Sequence, residues 1–188
     1  MTDDKRFYVA CLDLEGRRCL VVGAGEVGVE KARGLLDCGA DVVVVAPNAD
    51  PELKELSVRW LPRRYETRDL DDCFLVIAAT PDPETNRAVF EDASARSLLC
   101  NVADTPELCS FILPAVHREG PIAVAVSTSG ASPALAQRIR DDVAGLIGPR
   151  HADLARTLRE LRPEVKQRFP TYEQRRAEFQ RLIEEALP

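Results

Sequence analysis

The chain is poor in several residue types that carry chemistry. Two histidines, one tryptophan, one methionine and 5% aromatic residues occur in 188 positions. His117 and His151 stand far apart in sequence with no paired carboxylate motif, so both read as surface residues rather than metal ligands. The six cysteines form no CxxC pair, which excludes a zinc knuckle or a thioredoxin-type centre. All six read as reduced thiols, and the compartment as cytoplasmic. No apolar run approaches the ~20 residues of a membrane span. The charged stretch Met1–Arg6 has no apolar segment behind it, so no signal peptide is expected. Positive charge is short too. The net charge is −6 and the sequence pI about 5.1, against the basic footprint of a general nucleic-acid binder. Lysine is scarce, 4 residues against 21 arginines. Genome composition accounts for that bias, with Arg clusters for a polyanionic ligand as the alternative.

What is present is a core. Apolar residues make up 45% of the chain, enough for one domain with a small appendage at this length. Up to about residue 105, strand-like and helix-like segments alternate. Strands are expected at Cys19–Gly23, Asp41–Ala46, Val58–Leu61, Phe74–Ala79 and Leu98–Val102, with helices over Glu26–Cys38 and Thr85–Arg96. This alternation predicts an α/β fold with a Rossmann-type parallel sheet. After Pro106 two short runs, Phe111–Leu113 and Ile122–Val126, suggest a strand pair. Ser132-Pro133 then opens a helix with an apolar face of Ala134, Leu135, Ile139, Val143 and Leu146. Gly148-Pro149 ends it. A helical tail follows, in which Pro163 is expected to kink a helix or start a new one. Thr171-x-x-Gln174 has the form of a capping box. The expected division is therefore 1–106, a Rossmann-type domain; 107–148, a small strand–helix segment, too poor a core by itself, whose apolar faces are expected to find a partner chain; and 149–188, a helical tail.

Three motifs bear on function. Gly23-Ala-Gly25-Glu-Val-Gly28 follows a buried strand and opens a helix, the context that makes GxGxxG informative. Gly23 permits the tight turn, Gly25 the approach of a pyrophosphate, and Gly28 the close packing of helix on strand. The helix N-terminus adds free N–H groups and partial positive charge. The acid that usually holds the ribose after the second strand is missing; Pro47 and Asn48 fall there, and Asn48 can bond the ribose through its amide. No Arg follows directly, which favours NAD over NADP. Next, Asn101-Val-Ala-Asp104-Thr-Pro lies just past the fifth strand, on the sheet edge where such folds bind ligands. Asp104 there can act as a general acid/base or touch a metal, or be a turn Asp bonded to its own backbone. Last, Ser127-Thr-Ser-Gly-Ala-Ser132-Pro133 combines hydroxyls, Gly and a helix start, either an anion nest or an ordinary cap.

In this order the motifs resemble the precorrin-2 dehydrogenase / sirohydrochlorin ferrochelatase family, the N-terminal half of siroheme synthase and its free-standing relatives. The matching stretches are Cys19–Arg33, Leu75–Thr80, Cys100–Pro106, Ser110–Pro114 and Ala123–Pro133. The resemblance implies NAD-dependent oxidation of precorrin-2 to sirohydrochlorin, and in many members chelation of Fe²⁺ to give siroheme. It implies dinucleotide contacts at Glu26, Val27, Pro47 and Asn48, which join Gly23, Gly25 and Gly28 of the glycine motif and Thr80 after the fourth strand as the expected cofactor-binding residues. It makes Asp104 the essential carboxylate, both for catalysis and toward the metal, and the assembly a homodimer. No methyltransferase domain is expected to follow, so methylation of the precursor is expected to fall to another protein. A regulatory phosphoserine of the family falls on Thr128. The rival reading is a non-catalytic NAD-binding regulator or redox sensor of the same fold, which would have no need of Asp104.

Overall fold

The computed structural model describes residues 7–187; the charged Met1–Arg6 stretch lies outside them. Five strands form one parallel sheet: β1 (Arg18–Val22), β2 (Asp41–Val45), β3 (Arg59–Leu61), β4 (Leu75–Ala78) and β5 (Leu99–Val102), in the order β3-β2-β1-β4-β5. Apart from the edge strand β3, whose residues are exposed or half-buried, the strands are nearly continuous apolar runs because both faces of the sheet are covered, as parallel sheets require. On one face Cys19 and Val21, Val42 and Val44, and Leu75 and Ile77 meet Val29, Ala32 and Leu35 of helix α1 (Glu26–Leu36). On the other face Leu20, Val22, Val43, Val45, Val76 and Ala78 meet Val89 and Ala93 of helix α2 (Pro83–Ala95).

Local chemistry sets the ends of these elements. Gly39, at φ +78°, closes α1 with its N–H on the Leu36 carbonyl at 2.9 Å, the left-handed helix stop that a Cβ would oppose. Asp82 caps α2 by accepting from Glu84 N at 3.2 Å, with Pro83 in the first turn. Asp69 is the buried charge of this unit, its side chain 4% exposed. It takes a bidentate pair from Arg63, at 2.5 and 2.8 Å, and the Glu66 N–H at 2.9 Å. Burial alone would raise its pKa; these bonds outweigh burial and hold the carboxyl below its ordinary range.

The chain divides into two compact units, the first running to Ile112 and the second from Leu113 to the end. The second contains a two-stranded antiparallel hairpin, β6 (Ala115–Glu119) and β7 (Ile122–Val126). Gly120, at φ +54°, begins its two-residue turn and Pro121 completes it, the Gly-first form that fits strand twist. Three helices follow: α3 (Pro133–Ala144), α4 (Pro149–Arg168) and α5 (Tyr172–Ala186).

Three sequence expectations need correction here. Phe111–Leu113 is not a strand; Phe111 and Ile112 pack against the core of the first unit, and the partner of β7 is the more polar Ala115–Glu119. Helix α3 stops at Ala144, capped by Gly145, before Gly148-Pro149. Pro163 does not start a new helix; it lies inside the continuous α4. Pro163 and Arg159 are exposed, so the carbonyl that loses its helical N–H partner is open to water. The capping box at Thr171 is present as expected: Gln174 N donates to Thr171 Oγ1 at 3.3 Å and Thr171 N to Gln174 Oε1 at 3.2 Å.

Candidate active site

Strand order reverses between β2-β1 and β4-β5, and the loops after β1, β2, β4 and β5 all leave from the carboxyl edge of the sheet. That edge is where open parallel sheets take their ligands. The glycine loop lies there, and its three glycines do different work. Gly23 has φ +106°, and a Cβ on it would run into the Ala79 carbonyl. A Cβ on Gly28 would run into the Gly23 carbonyl, so α1 starts hard against the turn. Gly25 meets nothing within 4 Å: its missing side chain leaves open space over the start of α1. No side chain caps that helix, so its first N–H groups are available to an anion. Residues Gly25, Glu26 and Val27 are exposed while Gly28 and Val29 are buried. The loop therefore fits a dinucleotide pyrophosphate.

The β2 loop is tied to this one. Asp50 N donates to the Ala24 carbonyl at 2.8 Å, and Gly23 N to the Val45 carbonyl at 2.9 Å. Pro47 and Asn48 are exposed. Asp50 caps a single 3₁₀ turn, accepting from Glu52 N at 2.9 Å, so this acid is engaged in local structure. Asn48 is left as the exposed amide just beyond the second strand.

Thr80 follows β4 and is held by Asn86, a buried residue the sequence reading did not single out. Asn86 Nδ2 donates to the Thr80 carbonyl at 2.9 Å, and Asn86 Oδ1 accepts from Thr80 Oγ1 at 2.8 Å. Asn86 sits one turn into α2, after the Asp82-Pro83 start; that spacing was the available signal.

Asp104 follows β5 and is exposed, with φ +57°, a left-handed conformation that Asp tolerates better than most residues. The adjacent backbone is tied by Ala103 N to the Ala78 carbonyl at 2.8 Å and Thr105 N to the Val102 carbonyl at 3.3 Å. Thr105 Oγ1 adds a bond to the Ala103 carbonyl at 3.2 Å. None of these ties uses the Asp104 carboxylate. Among the described residues, no group of three or more His, Cys, Asp or Glu is arranged to hold a metal ion.

Within the second unit, the 127–132 loop satisfies much of its own polarity. Ser132 N donates to Thr128 Oγ1 at 3.1 Å, Thr128 Oγ1 to the Ser132 carbonyl at 3.0 Å, and Leu135 N to Ser132 Oγ at 3.2 Å. Arg138 and Arg140 pair with Asp142 and Asp141. A groove of about 860 Å³ between α4 and α5 is lined by Leu158, Tyr172 and Phe179 together with Arg159, Arg162 and Lys166.

None of the six cysteines is disulfide-bonded. Burial pushes the Cys100 thiol up to about 12 and the Cys19 thiol to about 11, so both stay protonated and unreactive near neutrality. No helix of the described residues is long and apolar enough to cross a membrane.

Comparison with known proteins decides the family. Residues 10–115 match a family model described as "Putative NAD(P)-binding". Residues 119–146 match "Sirohaem biosynthesis protein central", and 150–188 "Sirohaem synthase dimerisation region". The chain belongs to the family of the first model, putative NAD(P)-binding, and carries the two siroheme-specific matches after it. The siroheme synthase of Chromobacterium violaceum is 43% identical to it over 182 residues, 95% of this chain. That of Methylobacillus flagellatus is 44% identical over 169 residues, 88% of this chain. The matched region spans 39% and 36% of those relatives' lengths. The solved structure of SirC, a precorrin-2 dehydrogenase, superposes with a TM-score of 0.78 at 28% identity, covering 94% of this chain and 89% of SirC. The stretch matched to the dimerisation region is the tail, beyond the 107–148 segment to which the sequence assigned an interface.

Proposed function

We propose that this chain oxidises precorrin-2 to sirohydrochlorin with NAD as the acceptor. The observation that carries the reading is the placement of an exposed carboxylate, Asp104, on the same sheet edge as the open glycine loop, in a chain that matches SirC over nearly its whole length. The reaction removes a hydride and a proton from the macrocycle; NAD, when bound, supplies the hydride acceptor. The residues of the chain do the rest. Gly25 leaves room for the pyrophosphate, and the uncapped start of α1 offers it N–H groups through Glu26 and Val27. Pro47, Asn48 and Thr80 border the remainder of the dinucleotide site, with Asn86 fixing Thr80. Asp104 Oδ takes the proton, a contribution of roughly 10²–10⁴ in rate for a well-placed general base. Asn48 in place of the ribose acid, with no Arg directly after it, favours NAD over NADP.

Ferrous iron is proposed as a second substrate. Its insertion into sirohydrochlorin releases two pyrrole protons, and the same Asp104 carboxylate is the group on this edge suited to take one and to meet the incoming cation. The protein is proposed to be a homodimer. Leu135, Ile139 and Leu146 of the second unit are exposed, and Leu158, Phe179 and Ile183 line the groove between α4 and α5; a second copy covers such surface.

Anaerobic incubation with precorrin-2, then NAD, then Fe²⁺, followed by absorbance at each stage, tests both reactions. Formation of sirohydrochlorin only when NAD is present is the expected result. NAD binding without turnover would instead identify a non-catalytic sensor. Dehydrogenation without metal insertion would remove the iron step alone.

A further inference from the structure

The turn that carries Asp104 has an internal clasp. The chain leaves β5 at Val102, passes through Ala103–Thr105 and one 3₁₀ turn, Pro106–Leu108, and comes back at Cys109 and Ser110. Ser110 rejoins the strand it left: its N–H donates to the Cys100 carbonyl at 2.8 Å, and its Oγ accepts from Cys100 N at 2.8 Å. Cys109, 8% exposed, points its sulfur into the loop. Sγ accepts from Val102 N at 3.2 Å and lies 3.5 Å from Asn101 Nδ2. Its S–H can reach the Val102 and Thr105 carbonyls, each at 3.3 Å. Asn101, also 8% exposed, donates to the Phe111 carbonyl at 3.0 Å. The thiol thus binds both feet of the turn, at 102 and 105, while Asn101 ties its far end to β5.

This clasp has a purpose that packing alone does not explain. Asp104 stands at the apex in a left-handed conformation, which the surrounding chain must enforce. A small apolar residue at 109 would fill part of the space but leave the buried Val102 N–H without its sulfur acceptor.

We propose that Cys109 and Asn101 are positioning residues for Asp104: they fix the turn so that the carboxylate is held where the substrate proton leaves. The proposal rests on the reading of Asp104 as the proton acceptor. Displacement of a reacting group by about 1 Å costs up to ~10²-fold in rate, so loss of the clasp slows the chemical step and spares binding.

The test compares Cys109→Ala, Cys109→Ser and Asp104→Asn in the full chain. Cys109→Ala should lower kcat for sirohydrochlorin formation about tenfold or more, with KM for precorrin-2 and the calorimetric NAD affinity close to the parent. Cys109→Ser, which keeps an acceptor and a donor at the site, should recover much of the rate. The loss should vanish in the Asp104→Asn background, because a residue acting through Asp104 has nothing left to position. If Cys109→Ala melts without a folded baseline, Cys109→Val keeps the bulk without the bonds and takes its place. Parent-like kcat in the Cys109 variant, with Asp104→Asn strongly impaired, overturns the clasp and leaves the Asp104 reading standing. Equal losses in the Ala and Ser variants, or a full additive loss on top of Asp104→Asn, also overturn it. Near-normal turnover in Asp104→Asn removes the reading on which the clasp depends.

Discussion

The two units of this chain solve the problem of burial in different ways. In the first, Leu20, Val21, Val22, Val42 to Val45, Leu75, Val76 and Ile77 are all sealed between α1, the sheet and α2. In the second, the buried apolar residues among those described are Ala136, Ala152 and Val165, while Leu135 is 52% and Leu146 71% exposed. Hairpin β6–β7 shows the same economy, with half-buried and exposed residues alternating along both strands. A unit with a full two-sided core can hold a cofactor loop rigid by itself. A unit of small buried residues and large exposed ones gains little from its own folding and has surface to offer another chain.

That difference can be broken most severely at the glycine loop. Gly23→Ala puts a Cβ into the Ala79 backbone at a positive φ, and a loss of about 3 kcal/mol or more is expected, read as a large fall in melting temperature. Gly25→Val is the control within the same loop: its Cβ enters open space, so the melt should hardly move while calorimetric NAD affinity collapses. Equal melts for the two variants would contradict the separate roles given to them.

Next in size is the buried ion pair of the first unit. Asp69→Ala strands Arg63 and the Glu66 N–H, and should cost about 2–3 kcal/mol, less than a fully buried pair because Arg63 is a third exposed. The sign with pH follows from the lowered carboxyl pKa. Asp69 stabilises the fold above the ordinary Asp pKa of about 4, and that contribution disappears as pH falls through the lower folded value. Chemical denaturation between neutral pH and pH ~3 should therefore show the gap between parent and variant closing in acid. A gap that widens there would refute the assignment.

The smallest effect on stability, and the sharpest on assembly, is expected in the second unit. Leu135→Glu with Ile139→Glu changes residues already exposed, so the melt of the first unit should move by less than about 1 kcal/mol. Light scattering at micromolar concentration should change from a dimeric to a monomeric mass. A dimer that survives both substitutions would place the interface away from this face of α3.

Legibility in the sequence followed the same divide. Strands β1, β2, β4 and β5 could be read from runs such as Asp41–Ala46 because two-sided burial makes a strand apolar almost throughout; the edge strand β3 has no buried residue and lacks that signal. In the second unit the rule fails. Phe111-Ile112-Leu113 is the apolar run at the boundary, yet Phe111 and Ile112 serve the first unit's core, whereas Ala-Val-His-Arg-Glu forms the strand. Continuous apolarity does mark β7, Ile-Ala-Val-Ala-Val, but its half-exposed partner β6 has little of it. The site was legible where a backbone demand leaves a residue type behind: Gly23 and Gly28 for close approach, Ser132 and Thr171 for caps. Asn86, Asn101 and Cys109 were not, because their work is to bond main-chain groups brought near only by the fold. Asn86 meets Thr80 and Cys109 meets Val102 through contacts that no short-range pattern displays.

The central claim is that Asp104 takes the proton in precorrin-2 oxidation, and Asp104→Asn measures it directly. The amide is nearly isosteric, and none of the bonds that hold the turn uses the carboxylate, so the fold and the calorimetric NAD affinity should match the parent. Anaerobic sirohydrochlorin formation with precorrin-2 and NAD should slow by roughly 10²-fold or more. Turnover within about twofold of the parent, with NAD still bound, would contradict the account.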